Sequence, residues 1–230
     1  MQWLEIVSYI GIGIGVLQFL IILVHVISHP QTMKVMNVVW PITGLYFPLI
    51  GLWMYYKLGV PDAKQKMDHH MNHSDQKDMH HSDKPFWQSV VVSTTHCSSG
   101  CSLGDLLGAP IVFLTGLTIA GSTLFADYVV EFVLAYILGI AFQYYGMGMG
   151  SKPAEEKLKN AIKADTWSLI AFEIGMFAWM ALSHYVFFSE PPKPNGPVFW
   201  FMMQIAMMIG FGTSYPANWY LVKKGVKHAM

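Results

Sequence analysis

PFWQSVVVSTTHCSSGCSLGDLLGAPIVFLTGLTIAGSTLFADYVVE, residues Pro85 to Glu131, decides the fold of this chain. From Leu103 onward it becomes a long apolar run of the kind that crosses a bilayer, and Asp127 and Glu131 lie in the run that follows. At its mouth stand the only two cysteines, Cys97 and Cys101, with His96 directly before them and Asp105 after. If Thr95 to Asp105 is helical, Cys97, Cys101 and Asp105 are four residues apart and share one face. Two thiols with an imidazole and carboxylates nearby form the ligand set that soft or borderline transition metals prefer. The plainer alternative is that two small buried cysteines pack a membrane helix and His96 caps it.

Composition extends this reading to the whole chain. Of 230 residues, 53% are hydrophobic and only 12% charged, with a mean hydropathy of +0.39. Soluble domains carry about 25% charged residues, so the balance is that of a membrane protein. Net charge is zero and no basic stripe occurs, which argues against a nucleic-acid partner. Two cysteines do not make a disulfide scaffold. The first apolar run lacks a basic leader and a small-residue cleavage site, so it reads as a retained transmembrane helix rather than a signal peptide.

A spanning helix needs about 20 mostly apolar residues, and six candidates follow. The first, about Leu4 to Ile27, carries Gly11 and Gly15 spaced for close helix contact and ends in His25 and His29, an i,i+4 pair on the outer side that a metal could share. The second, about Val35 to Tyr56, contains Pro41, Gly44 and Pro48, and predicts a kinked helix whose freed carbonyls depend on neighbours. The third is about Leu103 to Ala120, with Phe86 to Ser99 readable as interfacial, re-entrant or the start of one long helix. The fourth is about Leu124 to Tyr145, with Asp127 and Glu131 on one face. Intramembrane carboxylates are expensive and usually face a bundle interior or cavity. After a short polar connector with a helical look, Lys152 to Lys163, the fifth runs from about Thr166 to Phe188. Along it Asp165, Leu169, Glu173, Met176, Met180 and His184 recur on one helical face. The sixth, about Val198 to Val222, is rich in methionine, and the tail after it is basic.

The chain therefore divides into residues 1–57 with two helices, a linker over 58–85, and a core membrane domain over 86–230. The linker is unlike its surroundings. It holds His69, His70, His73, His80 and His81 with Met67, Met71 and Met79, so five of the ten histidines fall within thirteen residues. Imidazoles and thioethers on a flexible tether gather copper, nickel or zinc, and methionine with histidine favours copper. The alternative is a polar inter-helix linker that happens to be rich in histidine. With six spans both termini share a side, and that side, which also holds the His/Met-rich loop, carries 12 of the 14 lysines; only Lys34 and Lys193 lie opposite. The positive-inside rule makes the termini and the loop cytoplasmic. The expected fold is an all-α six-transmembrane-helix bundle in a prokaryotic plasma membrane.

The motif HCSSGCSLGD at His96 to Asp105 resembles the signature of a bacterial and archaeal membrane family, domain of unknown function 4396. WPITGLY at Trp40 to Tyr46, ADTWSLIAFE at Ala164 to Glu173 and PANWYLVKKGVKHAM at Pro216 to Met230 are similar to further family elements. The resemblance runs from about Trp40 onward. It implies a multi-helix membrane fold and marks His96, Cys97, Cys101, Asp105, Asp165, Glu173 and Asn218 as matching positions. It supplies no catalytic residue.

Three functions compete. The first is a metal-handling membrane protein, copper first and zinc or another transition metal second, acting as permease, exporter accessory or buffer. His96, Cys97, Cys101 and Asp105 would be its ligands, and Asp127, Glu131, Glu173, Met176, Met180 and His184 its intramembrane path. No GxxxxGK[ST] loop occurs, so no nucleotide is expected and transport would be passive or ion-coupled. No Cys-Pro-Cys element of metal-pumping ATPases occurs either. The second is a membrane oxidoreductase or redox partner using the cysteine pair or a haem, although neither Cys-x-x-Cys nor Cys-x-x-Cys-His is present. The third is a structural subunit of a membrane complex, in which a second copy or another chain is the partner. The balance leans away from an enzyme.

Overall fold

The computed structural model describes residues 2–31, 33–61, 85–147 and 153–227. The expected metal-binding residues of the linker, Met67 to His81, lie outside the described residues. Within them the chain is helical, with no strand beyond one isolated bridge between Ile119 and Ser122. The helices are α1 (Gln2–Ser28), α2 (Met36–Tyr46), α3 (Ile50–Met54) running into a π-helical turn (Tyr55–Gly59), α4 (Phe86–Thr115), α5 (Thr123–Gly146), α6 (Ala154–Leu182) with a π turn (Ser183–Phe187), and α7 (Pro197–Lys223). Five of them, α1, α4, α5, α6 with its π turn, and α7, are long and apolar enough to cross a membrane.

The ends of these helices follow local chemistry. Ser122 caps α5 by accepting from the Phe125 amide at 3.4 Å. Pro197 begins α7 at the position where its missing N–H costs nothing. Gly116, at φ +66°, closes α4 in the left-handed conformation that a side chain resists. Inside the bundle α4 is the most enclosed: 61% of its spanning window is buried against 22% for α1, whose Trp3, Ile6, Tyr9 and Ile10 face outward. An apolar exterior around a polar centre suits lipid rather than water as the solvent.

The structure redraws three expected boundaries. The second span is not one kinked helix. Pro48 cannot donate and Leu49 takes φ +64°, so the chain breaks into α2 and α3. Gln18 of α1, buried to 3%, repairs that break. Its amide donates to the carbonyls of Gly44 (3.2 Å) and Phe47 (3.3 Å), and its oxygen accepts from the Leu52 amide (3.1 Å). Gln204 of α7 similarly donates to the Leu45 carbonyl at 2.7 Å. Of the three readings of Phe86 to Ser99, the start of one long helix holds: Phe86 to Thr115 is continuous, and it ends before the expected Ala120. The polar stretch from Ala154 to Lys163 is helical, as its sequence suggests, and continues directly into the fifth span as the first part of α6.

Small residues bring α4 and α5 together. Gly100, Gly104 and Gly108 recur every four residues on α4, and a Cβ added to them would strike Gly139, the backbone of Ala135 and Glu131 of α5 in turn. Gly11 and Gly15 likewise make room on α1 for Phe201 and Gln204 of α7 and for the Leu45 carbonyl.

Candidate functional site

The close α4–α5 seam and the facing stripe of α6 enclose a row of polar side chains. On α4, Cys97, Cys101 and Asp105 lie one turn apart, all at 0% exposure, over about 12 Å of helix. α6 faces them with Asp165, Ser168 and Glu173, and buries Leu169, Met176 and Met180 on the same side. The Cys97 sulfur is 3.4 Å from the Ser168 hydroxyl. Cys101 lies within electrostatic reach of Cys97, Glu173 and Asp105. Asp105 in turn faces Glu173 and the Glu131 carboxylate of α5, which adjoins Asp127. Both thiols are free. Neither oxygen of the buried Asp105 has a hydrogen-bond partner, and the buried Glu173 carboxylate has only the Cys101 thiol beside it.

The row ends differently at its two extremities. At the end holding the 116–123 and 188–197 turns, a cavity of about 240 Å³ is lined by Asp127, Tyr128, Glu131, Ser183, His184 and Lys193. Glu131 is 2% exposed, and Gly108 leaves the space its side chain occupies. At the other end the segment after α7 folds back into the bundle. α7 stops at Lys223, Gly225 turns at φ +67°, and the amides of Val226 and Lys227 return to the Leu221 carbonyl. Lys227 is thereby folded inward, with its Nζ donating to Asp165 Oδ1 (2.7 Å) and Asn218 Oδ1 (2.8 Å). Ser168 donates to the same Asp165 oxygen at 3.2 Å, and Asn218 donates to the Ser214 hydroxyl at 3.0 Å. Burial works against the Lys227 ammonium, but the Asp165 carboxylate and the nearby thiols outweigh it and hold the pKa above the ordinary lysine value.

The sequence-selected residues are only partly brought together. Cys97, Cys101, Asp105, Glu173 and Glu131 converge on one row. His96 does not join the thiols, because neighbouring helix positions point about 100° apart. Its ring is fully buried against the space left by Gly146, with an edge contact to Phe142, and neither nitrogen has a partner. His184 lines the cavity. His25 and His29 stack at 4.7 Å between ring centroids, and His25 Nδ1 lies 2.6 Å from the Tyr55 hydroxyl, so this pair is tied to the π turn after α3 and lies apart from the row. Among the described residues no three His, Cys, Asp or Glu side chains form a ready-made metal site.

The family described as Domain of unknown function (DUF4396) matches residues 86–227. The chain belongs to this family. The matched segment begins at α4 rather than at Trp40, and it holds the whole row from Cys97 to Lys227. No curated protein and no solved structure matches the chain.

Sequence reasoning missed Lys227, Ser168, Ser214 and the glycine seam. Lys227 was counted among the lysines that fix orientation, yet it is buried in an ion pair rather than solvated. Gly225 directly after a basic helix end was the available signal, since it permits the turn that sends the chain back. The glycine seam was readable as Gly100, Gly104 and Gly108 within HCSSGCSLGDLLG. Chemically, the arrangement offers soft thiols flanked by buried carboxylates without a basic partner among the described residues, with the Lys227 ion pair at one end and a cavity at the other.

Proposed function

We propose that this chain is a multi-pass cell-membrane permease that moves a soft transition-metal cation, copper(I) first, along the row and exchanges it against protons. The observation that carries this reading is the pair of buried carboxylates, Asp105 and Glu173, that have no basic partner among the described residues and lie beside two adjacent thiols. Buried carboxylates that face one another repel, and an uncompensated charge in such an interior is costly, so the cluster needs protons or a cation as counter-charge. A copper(I) ion held between Cys97 and Cys101 replaces one thiol proton and leaves the charge of the site unchanged. Thiolates select soft cations, while the carboxylates pass the released proton on and out of the row. Asp127 and Glu131 would serve the cavity end, with Met176, Met180 and His184 beside them.

In the same reading α2, the Pro48 break and α3 with its π turn make a sixth, interrupted crossing. Termini and the His/Met-rich linker are then cytoplasmic, on the lysine-rich side, where the linker collects metal. The Lys227 end of the row faces the cytoplasm and the cavity faces outward. Purified protein in liposomes tests the function, with an internal copper(I) chelator dye and an internal pH dye. Copper uptake with opposite proton movement is expected, and Cys97→Ser with Cys101→Ser should abolish both. Wild-type flux in that double variant overturns the reading.

A further inference from the structure

A lysine whose side chain is 0% exposed is unusual, and this one fills a prepared place. Asp165 Oδ1 and Asn218 Oδ1 both accept from the Lys227 ammonium, the Ser168 hydroxyl donates to the same Asp165 oxygen, and these three side chains are 0% exposed. The second Asp165 oxygen is also buried and has no partner, so one lysine does not exhaust the acceptors. The cradle belongs to the rigid bundle: α6 supplies Asp165 and Ser168, and α7 supplies Asn218, with Ser214 joining them through Ser168's carbonyl at 2.9 Å. Lys227 arrives on a separate lever, the turn at Gly225. The cation and its acceptors are therefore joined only by non-covalent contacts and a short segment.

We propose that Asp165 and Asn218, with Ser168 bracing the Asp165 carboxylate, form a monovalent-cation site for an ammonium-type ion, and that Lys227 is its tethered occupant, closing the thiol row until the segment after α7 swings out. Oxygen acceptors around one carboxylate suit a compact +1 charge with several donors, which an ammonium supplies. Cys97 touches Ser168, so the site adjoins the first thiol of the row. Leaving the cradle exposes a carboxylate to whatever cation stands at Cys97. The site stands on geometry alone; its role as a plug rests on the permease reading.

Two measurements separate them. Purified Lys227→Ala is melted in rising methylammonium chloride, with tetramethylammonium chloride at equal ionic strength as comparison. A lowered Tm that recovers saturably with methylammonium only, and no such response in Lys227→Ala/Asp165→Asn, supports the site. Absence of recovery, or equal recovery with tetramethylammonium, overturns it. A single variant that folds only when methylammonium is present throughout purification gives the supporting answer; one that fails to fold with or without it gives the opposite. Copper flux through Lys227→Ala in liposomes then tests the plug: severalfold faster flux than wild type, slowed again by methylammonium, supports it, and unchanged or slower flux overturns it. If neither protein carries copper while methylammonium still restores Tm, the permease reading fails and the cation site stands.

Discussion

The ion pair at the row's closed end permits a double-mutant cycle whose size follows from burial. Lys227→Met keeps most of the side-chain length but removes the ammonium, leaving the Asp165 carboxylate with only the Ser168 hydroxyl at 3.2 Å. Asp165→Asn keeps the shape and removes the charge, leaving the ammonium on Asn218 at 2.8 Å. Both partners are at 0% side-chain exposure, so each single change strands a buried charge at a cost of about 3–5 kcal/mol. The double variant strands none and should lie close to wild type, because uncharged replacements of buried pairs are often near neutral. For a chain of this size each kcal/mol moves Tm by roughly 2–4 °C, so each single variant should melt roughly 6–20 °C early. Asp165→Asn should sit at the lower end, since Asn218 still accepts. The two buried thiols supply the assay, because a thiol-reactive fluorophore reaches Cys97 and Cys101 only as the bundle opens. Single shifts of a degree or two, as exposed pairs give, or a double variant equal to the sum of the singles, would refute the buried, coupled pair.

Gln18→Leu should destabilise the bundle by roughly 2 kcal/mol, taking about 0.6 for each of its hydrogen bonds in a membrane interior; an unchanged Tm would show that the Pro48 break needs no repair from α1. Gly104→Leu should cost about 1–3 kcal/mol or more, since the added side chain meets Ala135 backbone, and native-like melting in that variant would refute the α4–α5 seam. Cys97→Ser and Cys101→Ser should each remove most protein-bound copper by metal analysis while Tm stays near wild type; wild-type copper content in the double variant would mean the thiols only pack. Deleting Asp68 to Ser82 should lower metal stoichiometry and leave Tm unchanged, so a collapse in Tm would make the linker structural. Ser74→Cys should resist an impermeant thiol reagent in intact cells and Asn195→Cys should react; the reverse pattern would invert the orientation.

Most of the helices were legible because lipid imposes a simple rule: apolar runs of sufficient length, with breaks at Gly and Pro. The stripe of Asp165, Glu173, Met176 and Met180 was legible for the same reason, since a polar residue at a helical repeat in an apolar run has to face inward. The broken second span was legible only as a kink. Pro41 and Pro48 look alike in sequence, yet Pro41 stays within α2 while Pro48 ends up in the break. What separates them is tertiary: Gln18 and Gln204 stand ready to satisfy backbone groups around Pro48, and no local pattern announces two glutamines from α1 and α7 meeting there.

The site was legible on each helix and illegible between helices. Periodicity assigned Cys97, Cys101 and Asp105 to one face, and that holds. It also tempted a grouping of His96 with the cysteines because they are adjacent in sequence, whereas adjacency in a helix separates directions. The ion pair shows the limit most clearly. Lys227 and Asp165 are 62 residues apart, and a lysine after a transmembrane helix reads as a solvated, orientation-setting charge by the same rule that works for its neighbours Lys223 and Lys224. Only the turn at Gly225 together with acceptors supplied by two other places in the fold makes it an interior group. A charge-counting rule describes where lysines are on average; a buried carboxylate with nothing else to neutralise it decides where one particular lysine goes. The same demand for counter-charge at Asp105 and Glu173, where no lysine answers it among the described residues, is the ground on which the proposed mobile cation rests.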